Sequence, residues 1–396
     1  MVDFKKNFNE KQVAFLDVNI LSHEGFTSGA LIYMKEILNM TSQLGLPSGI
    51  LSLVSNKECQ NKIEKYSYVK NGLRINEVFI NTKIKNQKRF KKALDVLFDG
   101  FLGGGVFMNS PAVNLEKEYL YALEYALGRT DNVVIVVPDV LYPTYKTHAR
   151  NLVDRLYLSF KKATIVAPSN FVRKRFFKDT GILAEIIPNL FDKEKVISNK
   201  GSHKYITLVN SHPMKGIDIF NSVASKLPNK KFLIIESWLD VPRHSKLSSN
   251  ILFHRFFRNT KKIYENTKIL LAPSLCEEGC PRVITEALLN GIPVVAIDIG
   301  GIAEAGFKTI NLIESPKIQG DVISPKINLN DLDIISNNFV LKINDIEKKC
   351  KNGFKKSDKL QKLALKEIKK SESVTRNFLI KLFKISEKNN KLCSIK

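Results

Sequence analysis

Acidic residues are scarce in this chain. Its 396 residues include 39 Asp and Glu against 62 Lys and Arg, a formal net charge of +23. That imbalance disfavours cationic partners and favours anionic ones: nucleic acid, an anionic membrane face or phosphate-bearing substrates. Cysteine is sparse as well, with five residues at positions 59, 276, 280, 350 and 393. The odd count and scattered spacing exclude a disulfide framework. Cys276 and Cys280 are close enough for half a metal site, but no matching Cys/His pair lies nearby, so they read as small, semi-buried residues. No apolar run approaches the ~20 residues of a membrane span. The N-terminus, "MVDFKKNFNEKQVAFLDVNIL", has no apolar core behind its lysines and reads as lacking a signal peptide, which makes a cytoplasmic protein the expectation.

What is present is ordinary globular material. The hydrophobic content of 44% belongs to a soluble folded chain, and the length suits two domains better than one core. The charge has two readings. A lysine-rich solvated surface accounts for much of it. Three clusters that mix basic and aromatic residues, "KRFKK" (88–92), "RKRFFK" (173–178) and "HRFFR" (254–258), fit that reading less well.

Short β-branched runs alternate with helical stretches along the chain. Strands are expected at 13–20, 49–55, 76–81, 106–110, 132–139, 164–169 and 185–189, then at 204–210, 231–237, 250–256, 268–274 and 292–298. Nearly continuous apolar strands between helices imply parallel sheets covered on both faces. A polar stretch with a glycine, "DKEKVISNKGSHK" (192–204), reads as a linker. The expected organisation is an α/β chain of two doubly wound, Rossmann-like domains facing a cleft. The N-terminal domain spans 1–195 and the C-terminal domain 203–328. A helical segment, 329–396, is expected to pack back on the N-terminal domain. Open parallel sheets bind ligands beyond the carboxyl ends of their strands.

One stretch concentrates polar groups at such an end: "KILLAPSLCEEGCPRVITEALLNGIPVVAIDIGG". A buried strand should end in the turn "LCEEGC". Pro281 suits the first position of a helix over 281–290, Gly291 its left-handed end, and Pro293 blocks continuation. The helix start offers free N–H groups and partial positive charge, a ready anion site. Glu278 precedes it. Glu286 lies five residues in, ~7.5 Å along the axis, so a ligand with an anionic middle would bridge the two carboxylates. The plainer reading has Glu278 complementing the helix dipole and Glu286 facing solvent. A second stretch, "LVNSHPMKGIDIF", ends a strand at Asn210 and opens a helix at Lys215–Gly216. Gly216 permits close backbone approach, and Lys215 would project as a point charge for phosphate. The plainer reading is a surface lysine. A third, "IIPNLFD", stops a strand at Pro-Asn.

These three stretches, together with "IVAPSNFVRKRF", resemble the retaining, nucleotide-sugar-dependent glycosyltransferases of the GT-B fold, family 4 (glycosyl transferases group 1). The clear resemblance covers roughly 163–305, and its strongest element is Glu-x7-Glu followed by Ala-Leu, a glycine, Pro-Val-Val and Gly-Gly. It implies that Glu286 holds the ribose hydroxyls and that Glu278 contacts the donor sugar. The backbone of Gly279, Cys280, Pro281, Arg282 and Val283 would cradle the sugar and diphosphate, and Lys215 would stabilise the departing charge. No cofactor or bound metal is implied, the nucleoside diphosphate sugar being the donor substrate. The chain departs from the family pattern in two places. Asn210 stands where an arginine is usual, and Cys280–Pro281 where an aromatic residue and a glycine are usual. Arg282 is the candidate replacement for the missing arginine, with an exposed arginine as the plainer alternative. In the N-terminal half, Asp139 ranks first as an acceptor-side residue, ahead of His148 and the strand-ending Asn109 and Ser110.

The function so implied is transfer of a hexose-type unit to an acceptor hydroxyl in glycan or glycolipid synthesis. The partners are the nucleotide sugar, a glycan or lipid-linked acceptor and an anionic inner membrane face, with nucleic acid disfavoured. Two rivals stand beside it: a nucleotide-sugar epimerase or sugar phosphorylase on the same fold, and a basic binding module whose donor site has decayed. A dinucleotide dehydrogenase is a weaker rival still, because "GGGVF" and "GGIAEAG" lack the G-x-G-x-x-G spacing.

Overall fold

The computed structural model describes residues 12–17, 28–55, 63–70, 73–80, 87–101, 103–111, 117–198, 201–236, 247–255, 257, 259–320, 325–349 and 357–385. The chain forms two compact units. Unit 1 comprises 1–168, 172–188 and 372–396; unit 2 comprises Ser169–Phe171 and Asn189–Ser371.

Unit 1 holds strands β1 (Val13–Asp17), β2 (Ser48–Ser55), β3 (Glu64–Lys70), β4 (Leu73–Ile80), β5 (Gly105–Asn109), β6 (Val133–Val136), β7 (Thr164–Ala167) and β8 (Glu185–Ile186). They form one sheet in the order β3-β4-β2-β1-β5-β6-β7-β8, parallel except for the edge strand β3. Its helices are α1 (Gly29–Gln43), α2 (Gln87–Leu97), α3 (Lys117–Leu127), α4 (Arg150–Phe160) and most of α5 (Asn170–Thr180). Ser28 caps α1 by accepting the Leu31 N–H at 3.2 Å. β3 was not expected: "EKYSYVK" alternates charged and polar residues with aromatics, and its Tyr66, Tyr68 and Val69 stay exposed. A solvated edge strand carries no apolar run for a sequence reading to find.

Unit 2 holds α6 (Lys193–Val196), β9 (Tyr205–Val209), α7 (Ile217–Lys226), β10 (Phe232–Ile235), β11 (Ile251–His254), α8 (Thr260–Asn266), β12 (Thr267–Ala272), α9 (Arg282–Leu289), β13 (Val294–Asp298), α10 (Ile302–Ala305), β14 (Asn311–Glu314), α11 (Leu329–Lys348) and the first part of α12 (Asp358–Phe383). The strand order is β11-β10-β9-β12-β13-β14, all parallel. Two apolar layers cover it. Ile206, Leu208, Phe232, Ile234 and Leu271 meet α7 and α11 on one face, while Leu233, Ile235, Leu270 and Ala272 meet α8 and α9 on the other. Each buried Leu, Ile or Phe contributes about 1.5–3 kcal/mol, and adjacent residues feed opposite layers because strand side chains alternate. The α/β expectation of two doubly wound sheets therefore holds.

Three stretches show detail that the sequence does not. The stretch 192–204 is not a bare linker. Asp192 caps α6, Ser198 N–H donates to Asn290 Oδ1 at 2.9 Å, and His203 N–H donates to Glu265 O at 3.1 Å. Polar composition marks exposed backbone but does not reveal these side-chain anchors. The helical segment 329–396 divides: Ile335, Phe339 and Ile343 of α11 enter the core of unit 2, whereas Phe383 of α12 meets Phe107 in unit 1. The aromatics of two basic clusters are largely core residues. Phe90 on α2 and Phe176 on α5 are buried, and only Phe177 is exposed. An amphipathic helix with lysines on its outer face reads as a basic–aromatic cluster when its period is ignored. In "HRFFR", positions 256 and 258 lie outside the described residues.

Candidate functional site

In unit 2 the chain winds outward from β9 through β10 to β11, then returns to place β12 on the other side of β9. That reversal makes the carboxyl ends of β9 and β12 a topological switch point. Both ends carry candidate residues. After β9, Asn210 adopts a left-handed conformation (φ 80°), and its Oδ1 accepts the His212 N–H at 3.0 Å. The His212 ring then caps a single 3-10 turn, Pro213–Lys215, by accepting the Met214 N–H at 3.2 Å. Burial and the nearby Lys215 charge push the His212 pKa down. Lys215 thus ends a short turn instead of opening α7, and Gly216 (φ 78°) joins the two. A Cβ on Gly216 would lie 1.9 Å from Pro273 O, so only glycine lets this loop pack against the end of β12.

The loop after β12 meets it. Lys215 Nζ lies 2.6 Å from Glu278 Oε1, and Ser274 Oγ donates to the same oxygen at 2.7 Å. The backbone of this loop is gripped from several sides. Gly301 N–H donates to Glu278 O at 2.7 Å, Ser169 Oγ to Gly279 O at 2.7 Å, and Asn189 Nδ2 to Cys280 O at 2.9 Å. Gly301 must be glycine, because a Cβ there would stand 2.0 Å from Gly279 O. Cys276 is buried and Cys280 half-buried; burial first of all raises the Cys280 pKa to about 12, so its thiol stays protonated.

Pro281 occupies the N-cap of α9 and not its first helical position, with extended ψ of 113°. Glu286 does not face solvent. It is 7% exposed, and Oε2 accepts the hydroxyl of the fully buried Tyr264 at 2.8 Å. Burial, then the Glu286 charge, drives the Tyr264 pKa well up, so this phenol remains a donor. The exposed-arginine alternative for Arg282 fails, and its guanidinium is turned to protein partners. The side chain is 8% exposed. Its Nη1 donates to Leu190 O at 2.8 Å, its guanidinium lies 4.3 Å from the Phe191 ring centroid, and its Nε is 3.5 Å from Glu286 Oε1. Nε itself is buried without a hydrogen-bond partner. Val283 is partly buried against the same core.

Unit 2 thus brings Asn210, Lys215, Gly216, Glu278, Gly279, Cys280, Pro281, Arg282, Val283 and Glu286 to the adjoining ends of β9 and β12 and to α9. Asp139 belongs to unit 1, where its Oδ1 accepts the Leu141 N–H at 2.8 Å and closes a turn. Asn109, at the end of β5, keeps a buried Oδ1 without a partner. Sequence reading missed Tyr264, Ser274 and His212. The four-residue step from Ser274 to Glu278 was visible, but no spacing rule points from α8 to Glu286.

Comparison with known proteins bears on the fold and on the segment that carries these residues. Residues 204–317 match the family model described as glycosyl transferases group 1. No curated protein matches the chain by sequence. Among solved structures, sucrose-phosphate synthase (tll1590) from Thermosynechococcus elongatus superposes with a TM-score of 0.64 at 11% identity, over 95% of this chain and 98% of that one. A glycosyltransferase from Rickettsia africae ESF-5 gives 0.58 at 17% identity, over 98% of each chain. Anabaena Alr3699/HepE in complex with UDP-glucose gives 0.61 at 15% identity, over 93% of this chain and 99% of that one. The fold is that of GT-B glycosyltransferases, and the matched segment supports a nucleotide-sugar glycosyltransferase.

Proposed function

We propose that the chain is a retaining glycosyltransferase of family 4 that moves a hexose-type unit from a nucleoside diphosphate sugar to an acceptor hydroxyl in glycan or glycolipid synthesis. The observation that carries this reading is the Lys215–Glu278 pair, 2.6 Å apart, at the switch point of unit 2 with Glu286 on the helix that follows. Glu286 would hold the ribose hydroxyls, Glu278 the donor sugar, and Lys215 the diphosphate. The solved relatives with UDP-glucose, UDP or ADP bound make this ligand class the natural one to test.

Chemistry follows from the charges. As the glycosidic bond breaks, negative charge grows on the departing diphosphate and positive charge on the anomeric carbon. Lys215 and the loop N–H groups before α9 meet the first; preorganised donors of this kind need no rearrangement at the moment of reaction. The departing phosphate would help deprotonate the acceptor hydroxyl, and the sugar keeps its anomeric configuration. No resident metal enters the reading, so activity should survive chelation. Arg282 supports Glu286 in this account and does not contact phosphate. Asp139 is the proposed acceptor-side residue. The net charge of +23 and the exposed lysines of α2 and α5 favour an anionic membrane face bearing a lipid-linked acceptor, at the cytoplasmic side.

A thermal-shift screen against nucleoside diphosphates and their sugars tests the donor, since a bound ligand raises apparent stability by mass action. The expected result is stabilisation by one nucleotide series. NMR of the product should show the anomeric configuration of the donor. A folded sample that responds to none of them would remove the reading, and an isomerised donor without acceptor would favour the epimerase.

A further inference from the structure

Two motifs of the sequence take no part in the function above: the serine that ends "IVAPS" and the asparagine of "IIPN". Both residues belong to unit 2 and both are buried, Ser169 at 3% and Asn189 at 8% exposure. Their side chains have one thing in common. Each donates to a backbone carbonyl of the loop before α9, Ser169 Oγ to Gly279 O and Asn189 Nδ2 to Cys280 O. With Gly301 N–H on Glu278 O, three consecutive carbonyls are held by donors from three separate chain segments.

A trans peptide group is planar, and its N–H points opposite to its C=O. No cis peptide occurs among the described residues. Holding the carbonyls of Glu278 and Gly279 therefore also aims the N–H groups of Gly279 and Cys280, away from Gly301 and Ser169 respectively. Among the described residues neither N–H has a hydrogen-bond acceptor. The third peptide leads into Pro281, which has no N–H; there Asn189 sets the direction in which α9 begins. Arg282 adds a fourth tie from the same segment, through Leu190 O.

We propose that Ser169 and Asn189 are positioning residues for the donor: they hold the loop so that the Gly279 and Cys280 N–H groups meet the phosphate or sugar oxygens of a nucleoside diphosphate sugar. This rests on the function proposed above. A glycine-containing loop without these ties would have to be ordered by the ligand, at a cost in affinity. Donors fixed beforehand carry no such cost. The oxygens involved belong to the diphosphate–sugar part of the ligand, so the nucleoside part should be indifferent to both side chains.

The test compares Ser169→Ala, Asn189→Ala and their double variant with wild type in the full chain. Ser198→Ala is the control, because it removes a hydroxyl hydrogen bond to Glu265 (2.8 Å) elsewhere in unit 2. Calorimetry measures affinity for the nucleoside diphosphate that stabilises wild type most and for its nucleoside, and melting of the ligand-free proteins is recorded alongside. Each single variant is expected to weaken diphosphate binding by about tenfold, the value of one well-made hydrogen bond, and to raise the donor KM while leaving the acceptor KM and nucleoside affinity unchanged. Ser198→Ala should lose melting temperature without losing affinity. If wild type binds the diphosphate and both alanine variants bind it equally well, the positioning role is overturned and the proposed function stands. If wild type binds no nucleotide, the function falls and this role with it. Should an alanine variant not fold, Ser169→Cys keeps the volume with a poorer donor, and wild-type affinity there would overturn the role in the same way.

Discussion

Lys215 and Glu278 stand 63 residues apart in sequence and 2.6 Å apart in space, an ion pair joining the loops after two adjacent parallel strands. Each is the residue proposed to touch the donor, one at the phosphate and one at the sugar. In the free chain they satisfy one another, and Ser274 holds Glu278 in place. A diphosphate approaching Lys215 therefore replaces one anion with another and does not confront a bare ammonium. Lys215→Ala should lower kcat/KM for the nucleotide sugar by about 10²–10³-fold, the usual effect of removing one preorganised donor at a developing charge. Steady-state kinetics with varied donor would show it, while the ligand-free melting temperature should change little, because Ser274 still meets the carboxylate.

Tyr264→Phe keeps the packing of a fully buried ring and removes only the donor to Glu286. A hydrogen bond to a charged group is worth about 1.5–3 kcal/mol. The expected outcome is a stability loss of that order by chemical denaturation, together with a raised donor KM at nearly constant kcat.

Arg282→Ala should act on folding before it acts on catalysis. The substitution leaves buried Glu286 without its cationic neighbour and Leu190 O without its donor. Breaking a buried pair in this way costs about 3–5 kcal/mol. Arg282→Lys should recover little of it, since an ammonium cannot reproduce the guanidinium's contact over the Phe191 ring together with its bond to Leu190 O. A variant that melts like wild type but binds diphosphate poorly would instead restore a direct phosphate role.

His212 predicts a pH dependence with a definite sign. Burial, then the Lys215 charge, lowers its pKa from the usual 6.5. The unfolded chain therefore takes up the proton more readily than the folded one. The associated stability is complete above pH 6.5 and is lost as pH falls toward the depressed folded value. Protonation of Nδ1 would also remove the acceptor of the Met214 N–H and loosen the turn that carries Lys215. Donor affinity should thus fall between pH 7 and pH 5. His212→Asn, which keeps a capping acceptor without a titrating group, should flatten that fall when binding is measured across the range.

Gly216→Ala tests the close approach of the two loops. Its methyl would be driven into Pro273 O, and the residue would keep a positive φ. We expect a destabilisation of at least about 4 kcal/mol or an insoluble product, by thermal melting and yield, whereas Gly45→Ala, with nothing near its Cβ, should suffer only the strain of its positive φ.

Much of this was legible beforehand because it is written in local pattern. Apolar runs such as "ITLV" and "VVAI" announce buried parallel strands, and Gly291 before Pro293 marks the end of α9 with its φ of 66°. The same holds for the main parts of the candidate site: Lys215–Gly216, Glu278 and Glu286 follow strand ends, where the parallel topology gathers them. The edge strand β3 and the short β14 escaped notice because neither carries a long apolar run. The placing of Arg282 was not legible, because nothing in "CPRVITE" tells whether an arginine on a helix's first turn points outward or back over Phe191.

By itself, then, the sequence determined the α/β class, the succession of elements and the identity of the loops that bear charge, since these depend on residues near one another in the chain. Only the tertiary structure decided which groups satisfy which: Lys215 with Glu278, Tyr264 with Glu286, Ser169 and Asn189 with the loop carbonyls. Those pairings join residues far apart in sequence, and each exists because a buried charge or peptide group must find a partner once folding has removed water.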